Sequence, residues 1–384
     1  MRPIKLMVRL SEHEKAAVDH SARSEGLKAA SWARQTLLRA VREQARAPYS
    51  AANGKSVPGL VSLFCGPGGL DQGFKSAGFR TLAAIDIDEE CVRTFAHNHP
   101  EARTAIRDIT TLSLTALDDL YGSTLEPVGV LGGPPCQSFS VSNVHQTDDD
   151  PRHRLPEAYA SLLAQLNGRR PISFFVFENV PGLLGKKHIH RYQRFKELFA
   201  QAGFKIKEAL LDAQDFGVPQ ERPRIVIVGI NQTLHPGKEW QPPKPNGRRR
   251  TVRDAIDGLP EPIHNARGLD PDTFPVHPNH WCLVPKSIKF SNGKLRQGEM
   301  WGRSFRSLSW DKPSWTVAYG HREVHVHPNG KRRLSIYEAL LLQTFPPTYR
   351  LLGNMTAQVR LVSDAVPPVL AEHIANSIRT TLAL

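Results

Sequence analysis

The sequence predicts an α/β fold: an open parallel sheet with helices on both faces, interrupted by one irregular insert and preceded by a small separate module. Three observations carry this. Short apolar runs, at Leu60–Phe64, Thr81–Ile85, Val128–Leu131, Phe174–Phe177, Ile206–Leu211 and Ile225–Val228, alternate with helical patterns. Residues 231–330 break that rhythm with irregularly spaced Pro, Gly, Arg, His and Trp. The positive charge is also segregated. Residues 1–50 hold 10 basic against 5 acidic side chains and residues 231–335 hold 18 against 9, which accounts for essentially all of the net +13. Two basic segments on a neutral body are the footprint of a polyanion binder.

Composition narrows the class. At 384 residues, with 40% hydrophobic and 23% charged side chains, the chain is an ordinary globular mixture of two or three domains. No apolar run approaches the roughly 18 residues of a membrane span, and Met1–Leu10 lacks the features of a signal peptide. Cys65, Cys91, Cys136 and Cys282 show no metal-binding or disulfide spacing, so no metal is expected and a reducing, cytoplasmic setting is.

The N-terminal module comes first. Ile4, Leu6, Val8 and Leu10 alternate at period two, predicting a half-buried strand whose other face shows Lys5, Met7 and Arg9. Ser11 and Glu14 form a capping box that opens a helix, with Gly26 as its stop. A second helix follows Ser31. A strand and two helices in about forty residues cannot bury a core alone, which predicts a homodimer. This pattern resembles the ribbon-helix-helix DNA-binding family, and the resemblance makes Lys5, Met7 and Arg9 the base-reading face. Residues 1–44 are assigned to this module and 45–58 to a Pro/Gly-punctuated linker.

In the sheet domain, Phe64-Cys65-Gly66-Pro67-Gly68-Gly69 makes a glycine turn from strand to helix, and Asp86 and Asp88 end the next strand. A turn plus an acid at this separation suggests an adenosine-containing cofactor, without choosing between a dinucleotide and S-adenosylmethionine. Further strand ends bring Pro134-Pro135-Cys136-Gln137, then Glu178-Asn179-Val180, then Gln220-Glu221-Arg222-Pro223-Arg224 to one edge. Taken singly, each has a plainer reading as a small buried thiol, an edge acid or a solvated arginine pair.

Together and in this order these motifs resemble the DNA cytosine-5 methyltransferase family, over about Leu60 to Leu384. The resemblance implies a Rossmann-like S-adenosylmethionine-dependent methyltransferase sheet at 59–230 and 333–384, with a target-recognition domain inserted at 231–332. It implies double-stranded DNA as substrate and a cognate restriction endonuclease as functional partner. Residue by residue, Cys136 matches the nucleophile and Glu178 the acid at the cytosine ring nitrogen. Arg224 matches the arginine on the ring carbonyl, and Arg222 the support of the nucleophile loop. Phe64, Gly66, Gly68, Gly69, Asp86, Ile87, Asp108, Pro135, Leu155, Asp364 and Val366 match cofactor-pocket positions. The chemistry needs these types. Carbon 5 of cytosine is a poor nucleophile until a thiolate adds at carbon 6, and the charge that develops needs a proton at the ring nitrogen.

One position departs from the pattern. Ser363-Asp364-Ala365-Val366 stands where the family usually has Gly-Asn-Ala-Val, so a carboxylate replaces an amide. In the insert, Arg248, Arg249 and Arg250 are candidate phosphate contacts, and Trp315, Tyr319, Arg322 and the alternating Glu323, His325 and His327 are candidates to line a DNA groove. Two rivals stay open from sequence: an RNA cytosine-5 methyltransferase of the same fold, and a DNA-binding repressor carrying an inactive methyltransferase domain.

Overall fold

The computed structural model describes residues 11–24, 28–30, 32–33, 36, 57–135, 154–186, 188–301, 305–316 and 324–384. Contacts divide the chain into two units, Met1–Val57 and Pro58–Leu384. In the first, helix α1 spans Glu12–Ser24. Its capping box is present: the Glu14 amide donates to the Ser11 hydroxyl at 3.3 Å, and the Ser11 amide to the Glu14 carboxylate at 2.8 Å. The second helix starts earlier than Ser31 suggested, because the Trp32 amide already donates to the Lys28 carbonyl at 2.9 Å. The expected strand with Lys5, Met7 and Arg9, and the stop at Gly26, lie outside the described residues.

The second unit is built on a seven-stranded sheet. Its strands are β1 (Gly59–Leu63), β2 (Arg80–Asp86), β3 (Arg103–Ile106), β4 (Gly129–Gly132), β5 (Phe174–Asn179), β6 (Phe204–Asp212) and β7 (Pro223–Asn231), in the order β3-β2-β1-β4-β5-β7-β6. Alternation sends neighbouring side chains to opposite faces. Val61, Phe175, Phe177 and Ile227 enter one core with helices α4 (Leu114–Tyr121), α5 (Leu155–Arg169) and α6 (Ile189–Gln201). Leu60, Phe174, Val176 and Val228 enter the other with α2 (Gly69–Ser76) and α10 (Pro368–Leu382). Helix α3 (Glu89–Asn98) follows β2, α7 is the short Val252–Ile256, and α8 (Ile336–Leu342) and α9 (Met355–Asp364) precede α10.

Not every strand is parallel. β7 runs antiparallel to both β5 and β6. Periodicity marks a strand but not its direction; the short β6–β7 connection is a hairpin, and a hairpin can only join antiparallel strands. β3 escaped the sequence reading because Arg-Thr-Ala-Ile at a partly exposed edge carries no apolar run. The first strand ends at Leu63 rather than Phe64, whose φ of 54° takes it out of the sheet.

Beyond β7 the chain first stays on the sheet domain. Trp240 is fully buried in the α10 core and donates to the Ser377 hydroxyl at 2.7 Å. The basic segment then forms small pairings: β8 (Ile263–His264) with β9 (Trp281–Cys282), and β10 (Met300–Trp301), β11 (Phe305–Ser307) and β12 (Val324–Val326) as a three-stranded sheet. Buried polar bonds tie it to the C-terminal helices. Asn279 exchanges two hydrogen bonds with the Leu351 backbone, and the Trp281 indole donates to Gln358 at 2.8 Å. Among the described residues, no helix is long and apolar enough to cross a membrane.

Candidate active site

Strand order reverses between β1 and β4, and in open α/β sheets the crevice outside the strands' carboxyl ends at such a switch is where ligands bind. Four strand ends meet there, followed respectively by Phe64–Gly69, Ile87, Gly133–Pro135 and Val180. β7, being antiparallel, brings its first residues, Pro223 and Arg224, to the same edge.

One half of the crevice is the glycine turn. Phe64 and Gly66 both have φ of 54°, a conformation costly for phenylalanine and natural for glycine. A β-carbon on Gly66 would meet nothing within 4 Å, so the backbone there faces open space. Gly68 and Gly69 are glycine for the opposite reason. A β-carbon on Gly68 would come within 2.6 Å of the Tyr349 hydroxyl, and one on Gly69 would overlap the Val366 carbonyl. Asp86 accepts from the Gly66 amide through one oxygen and from the Asp88 amide through the other, both at 3.0 Å. Burial pushes its carboxyl above the ordinary range. Ile87 beside it is 67% exposed, an apolar platform at the mouth. Asp108 is exposed and caps a short turn by accepting from the Thr110 amide at 2.9 Å. Leu155 opens α5 and packs at the margin of the first core.

The other half is built on β5 and β7. Glu178 lies opposite Val226, so Arg224, two residues earlier, is its diagonal neighbour on the same face. The Arg224 Nε stands 2.9 Å from Glu178 Oε1, with the two residues 9% and 8% exposed. Burial raises the Glu178 carboxyl, against the pull of the Arg224 and Arg222 guanidiniums, which hold it down. Arg222 is 1% exposed; its amide donates to Asp212 and its Nη2 to the Ser363 carbonyl at 2.9 Å. Above this pair runs the Gly133–Pro135 loop. A β-carbon on Gly133 would stand 3.1 Å from Glu178 Oε2, and Asn179 Nδ2 donates to the Pro134 carbonyl at 3.3 Å. Cys136 lies outside the described residues, as do Tyr319, Arg322 and Glu323.

An acid pinned by two amides, a glycine turn open to solvent and an exposed apolar platform can hold an adenosine; a buried carboxyl beside a guanidinium can bind a pyrimidine edge. The family model C-5 cytosine-specific DNA methylase matches residues 59–380. The chain belongs to that family. It is 33% identical over 347 residues to the type II methyltransferase M.MthTI of Methanothermobacter thermautotrophicus, covering 84% of this chain and 97% of the relative. It is 32% identical over 335 residues to M1.HphI of Haemophilus parahaemolyticus, covering 83% and 86%. A crystal structure of a putative DNA modification methyltransferase encoded within an Escherichia coli prophage superposes with a TM-score of 0.71 at 24% identity, over 85% of this chain and all of that one. The protein is a DNA cytosine-5 methyltransferase whose methyl donor is S-adenosylmethionine.

The insert corrects one expectation. His325 and His327 are buried, 0% and 6% exposed, so they pack rather than line a groove. His327 stands edge-on to Trp310 and 3.8 Å from Glu338, and burial lowers the His325 imidazole to about 4. Trp315 packs beside Leu308, Leu334 and Leu342. Alternation in His-Val-His resembled an exposed strand face, but this strand is covered on both sides. Of the arginine run, Arg248 and Arg249 are exposed, Arg249 lies 3.8 Å from Asp215, and Arg250 donates to the Asp254 carbonyl. Sequence reasoning missed the Asn179–Pro134 bond and the 2.8 Å ion pair of Arg360 with Asp88. Neither left a signal beyond its residue type.

Proposed function

We propose that the protein methylates carbon 5 of a flipped-out cytosine in a specific DNA sequence through a covalent adduct with Cys136, as the modification arm of a restriction–modification system in the bacterial cytoplasm. The observation that carries this is the buried Glu178–Arg224 pair directly beneath the Pro134–Pro135 loop that leads into Cys136. A stacked cytosine is out of reach of such a site, so the base must leave the duplex, and the basic insert at 231–332 supplies the contacts that hold the strands. The bound cofactor supplies an electrophilic methyl group.

The chain's own residues do the rest. The Cys136 thiolate adds to carbon 6, and Glu178 gives its proton to the ring nitrogen as negative charge develops there. Arg224 donates to the ring carbonyl while staying paired to Glu178, and Arg222 braces the site through the Ser363 carbonyl. Once carbon 5 carries the methyl group, its proton passes to solvent water, the carbon 6–sulfur bond breaks to release the Cys136 thiolate, and Glu178 takes back the proton from the ring nitrogen. Phe64, Gly66, Gly68, Gly69, Ile87, Asp108, Pro135, Leu155, Asp364 and Val366 would surround the cofactor, with Asp86 on the ribose hydroxyls. Incubation with duplex DNA containing 5-fluorocytosine and cofactor should trap an adduct, because the fluorine cannot leave as a proton does. Its mass should map to the peptide carrying Cys136 and vanish in Cys136→Ala. Absence of an adduct despite tight binding would exclude the covalent route.

The N-terminal module adds a second role within this reading. Its capped helix, second helix and net positive segment support a dimeric, operator-binding unit that represses its own operon, with Lys5, Met7 and Arg9 on the bases.

A further inference from the structure

The C-terminal turn of α9 is held from two sides. On the cofactor side, Arg360 Nη2 pairs with Asp88 Oδ2 at 2.8 Å, two residues beyond the pinned Asp86. On the base side, Arg222 Nη2 donates to the Ser363 carbonyl at 2.9 Å. Asp364 follows Arg360 by four residues and so lies on the same helix face, between these two clamps. Two residues further on, the Val366 carbonyl closes against Gly69 of the glycine turn. Asp364 is solvent-exposed and makes no ion pair among the described residues. Desolvation raises its carboxyl above the ordinary range, against the pull of Arg222, Arg360 and Arg224, and Asp86 adds to the rise.

A carboxylate here is unfavourable for the free protein. It sits at the negative end of a helix, where acids destabilise, and, although Arg222, Arg360 and Arg224 favour its charge, it shares the crevice with a second carboxylate, Asp86. A cation between the two would relieve both. The sulfonium cofactor carries one more positive charge than the thioether left after methyl transfer, and the two are otherwise nearly the same shape.

We propose that Asp364, placed between the Arg360–Asp88 pair and the Arg222–Ser363 bond, makes the pocket discriminate by charge, favouring the sulfonium cofactor over its neutral thioether product. This inference rests on the cofactor reading of the crevice. Product release is then aided by the same charge that aids cofactor capture. An interaction between unit charges across a partly solvated crevice corresponds to roughly a five- to tenfold change in relative affinity.

The test is calorimetric titration of the full chain with S-adenosylmethionine and with S-adenosylhomocysteine, for the parent, Asp364→Asn and Asp364→Glu. The ratio of the two dissociation constants should shift roughly five- to tenfold toward the product in Asp364→Asn and stay near the parent's in Asp364→Glu. Should Asp364→Asn fail to fold, Asp364→Ser takes its place with the same expected shift. An unchanged ratio in a folded charge-removing variant that binds both ligands overturns the charge role but leaves the cofactor site intact. Failure of the parent to bind either ligand overturns the cofactor reading, and this inference with it.

Discussion

In the proposed mechanism Glu178 acts as an acid at neutral pH while standing 2.9 Å from an arginine that favours its ionised form. Burial decides the contest, since the carboxyl ends above its ordinary range despite two guanidiniums. The protonated form is the proton donor, so activity should hold at pH below the raised pKa and fall as pH rises through it. Glu178→Gln cannot give up a proton. Its kcat should drop by about 10²–10⁴-fold, and the alkaline limb due to this group should flatten in a pH–rate profile. An unchanged limb would assign that titration elsewhere. Cys136 lies outside the described residues; that Glu178, Arg222 and Arg224 stand at one sheet edge was legible in the sequence, because each closes or opens an apolar run. The buried histidines were not. Their burial is set by Trp310, Glu338 and the neighbouring strand, which no local pattern announces.

At the scale of elements, the glycine turn depends on an acid that does no chemistry. Asp71 on α2 is 1% exposed and accepts from Ser62 of β1 at 2.8 Å and Thr81 of β2 at 2.7 Å. It fixes the helix behind the turn to both strands. Burial raises its carboxyl to about 6 from an ordinary 3.8. The folded form therefore holds the proton more tightly, and this contribution to stability is full below about 3.8 and lost as pH rises through about 6. Asp71→Asn keeps an acceptor for one hydroxyl and offers a donor to the other without the charge. It should gain stability over the parent above pH 7, by up to about 3 kcal/mol, with the gain vanishing near pH 4 in thermal melts. A difference independent of pH would assign it to packing.

The opposite sign is expected at α8. Arg332 bonds both oxygens of Glu338 at 2.9 and 2.8 Å, and Glu338 also closes the capping box on Ser335. With side chains 5% and 0% exposed, Glu338→Ala would leave the buried Arg332 guanidinium only its pairing with the exposed Glu261 carboxylate and a backbone carbonyl, and should cost about 3 kcal/mol in denaturant unfolding. A loss below about 1 kcal/mol would mean that water reaches the pair. Helical periodicity over Leu334–Phe345 made this helix readable from sequence, whereas its Ser335–Glu338 capping box went unread. α9 was not read, although Asn354 caps it by accepting from the Ala357 amide at 3.0 Å, which gives that asparagine a structural task. β7's direction was equally hidden, being a property of the connection rather than of the strand.

On the scale of the whole molecule, the chain joins two units that divide between Val57 and Pro58, at a segment whose composition already read as linker. The family match covers residues 59–380 and so falls within the second unit. The two basic segments fall one in each unit, which separates two kinds of DNA contact that a single assay on the intact chain would merge. A chain beginning at Ser56 should therefore keep its methylation rate on target DNA within about twofold, since the sheet, the insert and the C-terminal helices remain whole. It should lose binding to a fragment carrying its own promoter. Specific affinity should fall toward the non-specific level, about 10³-fold or more, if a dimeric ribbon reads that operator. The intact chain should also show a steeper fall of operator binding with salt than the truncated chain shows on any DNA, because each lysine or arginine on a phosphate releases counterions. Bisulfite sequencing of host DNA measures the first outcome and mobility shifts at two salt concentrations measure the second. Methylation lost with residues 1–55 would make the first unit part of the enzyme, and equal promoter affinity in both chains would remove the regulatory role.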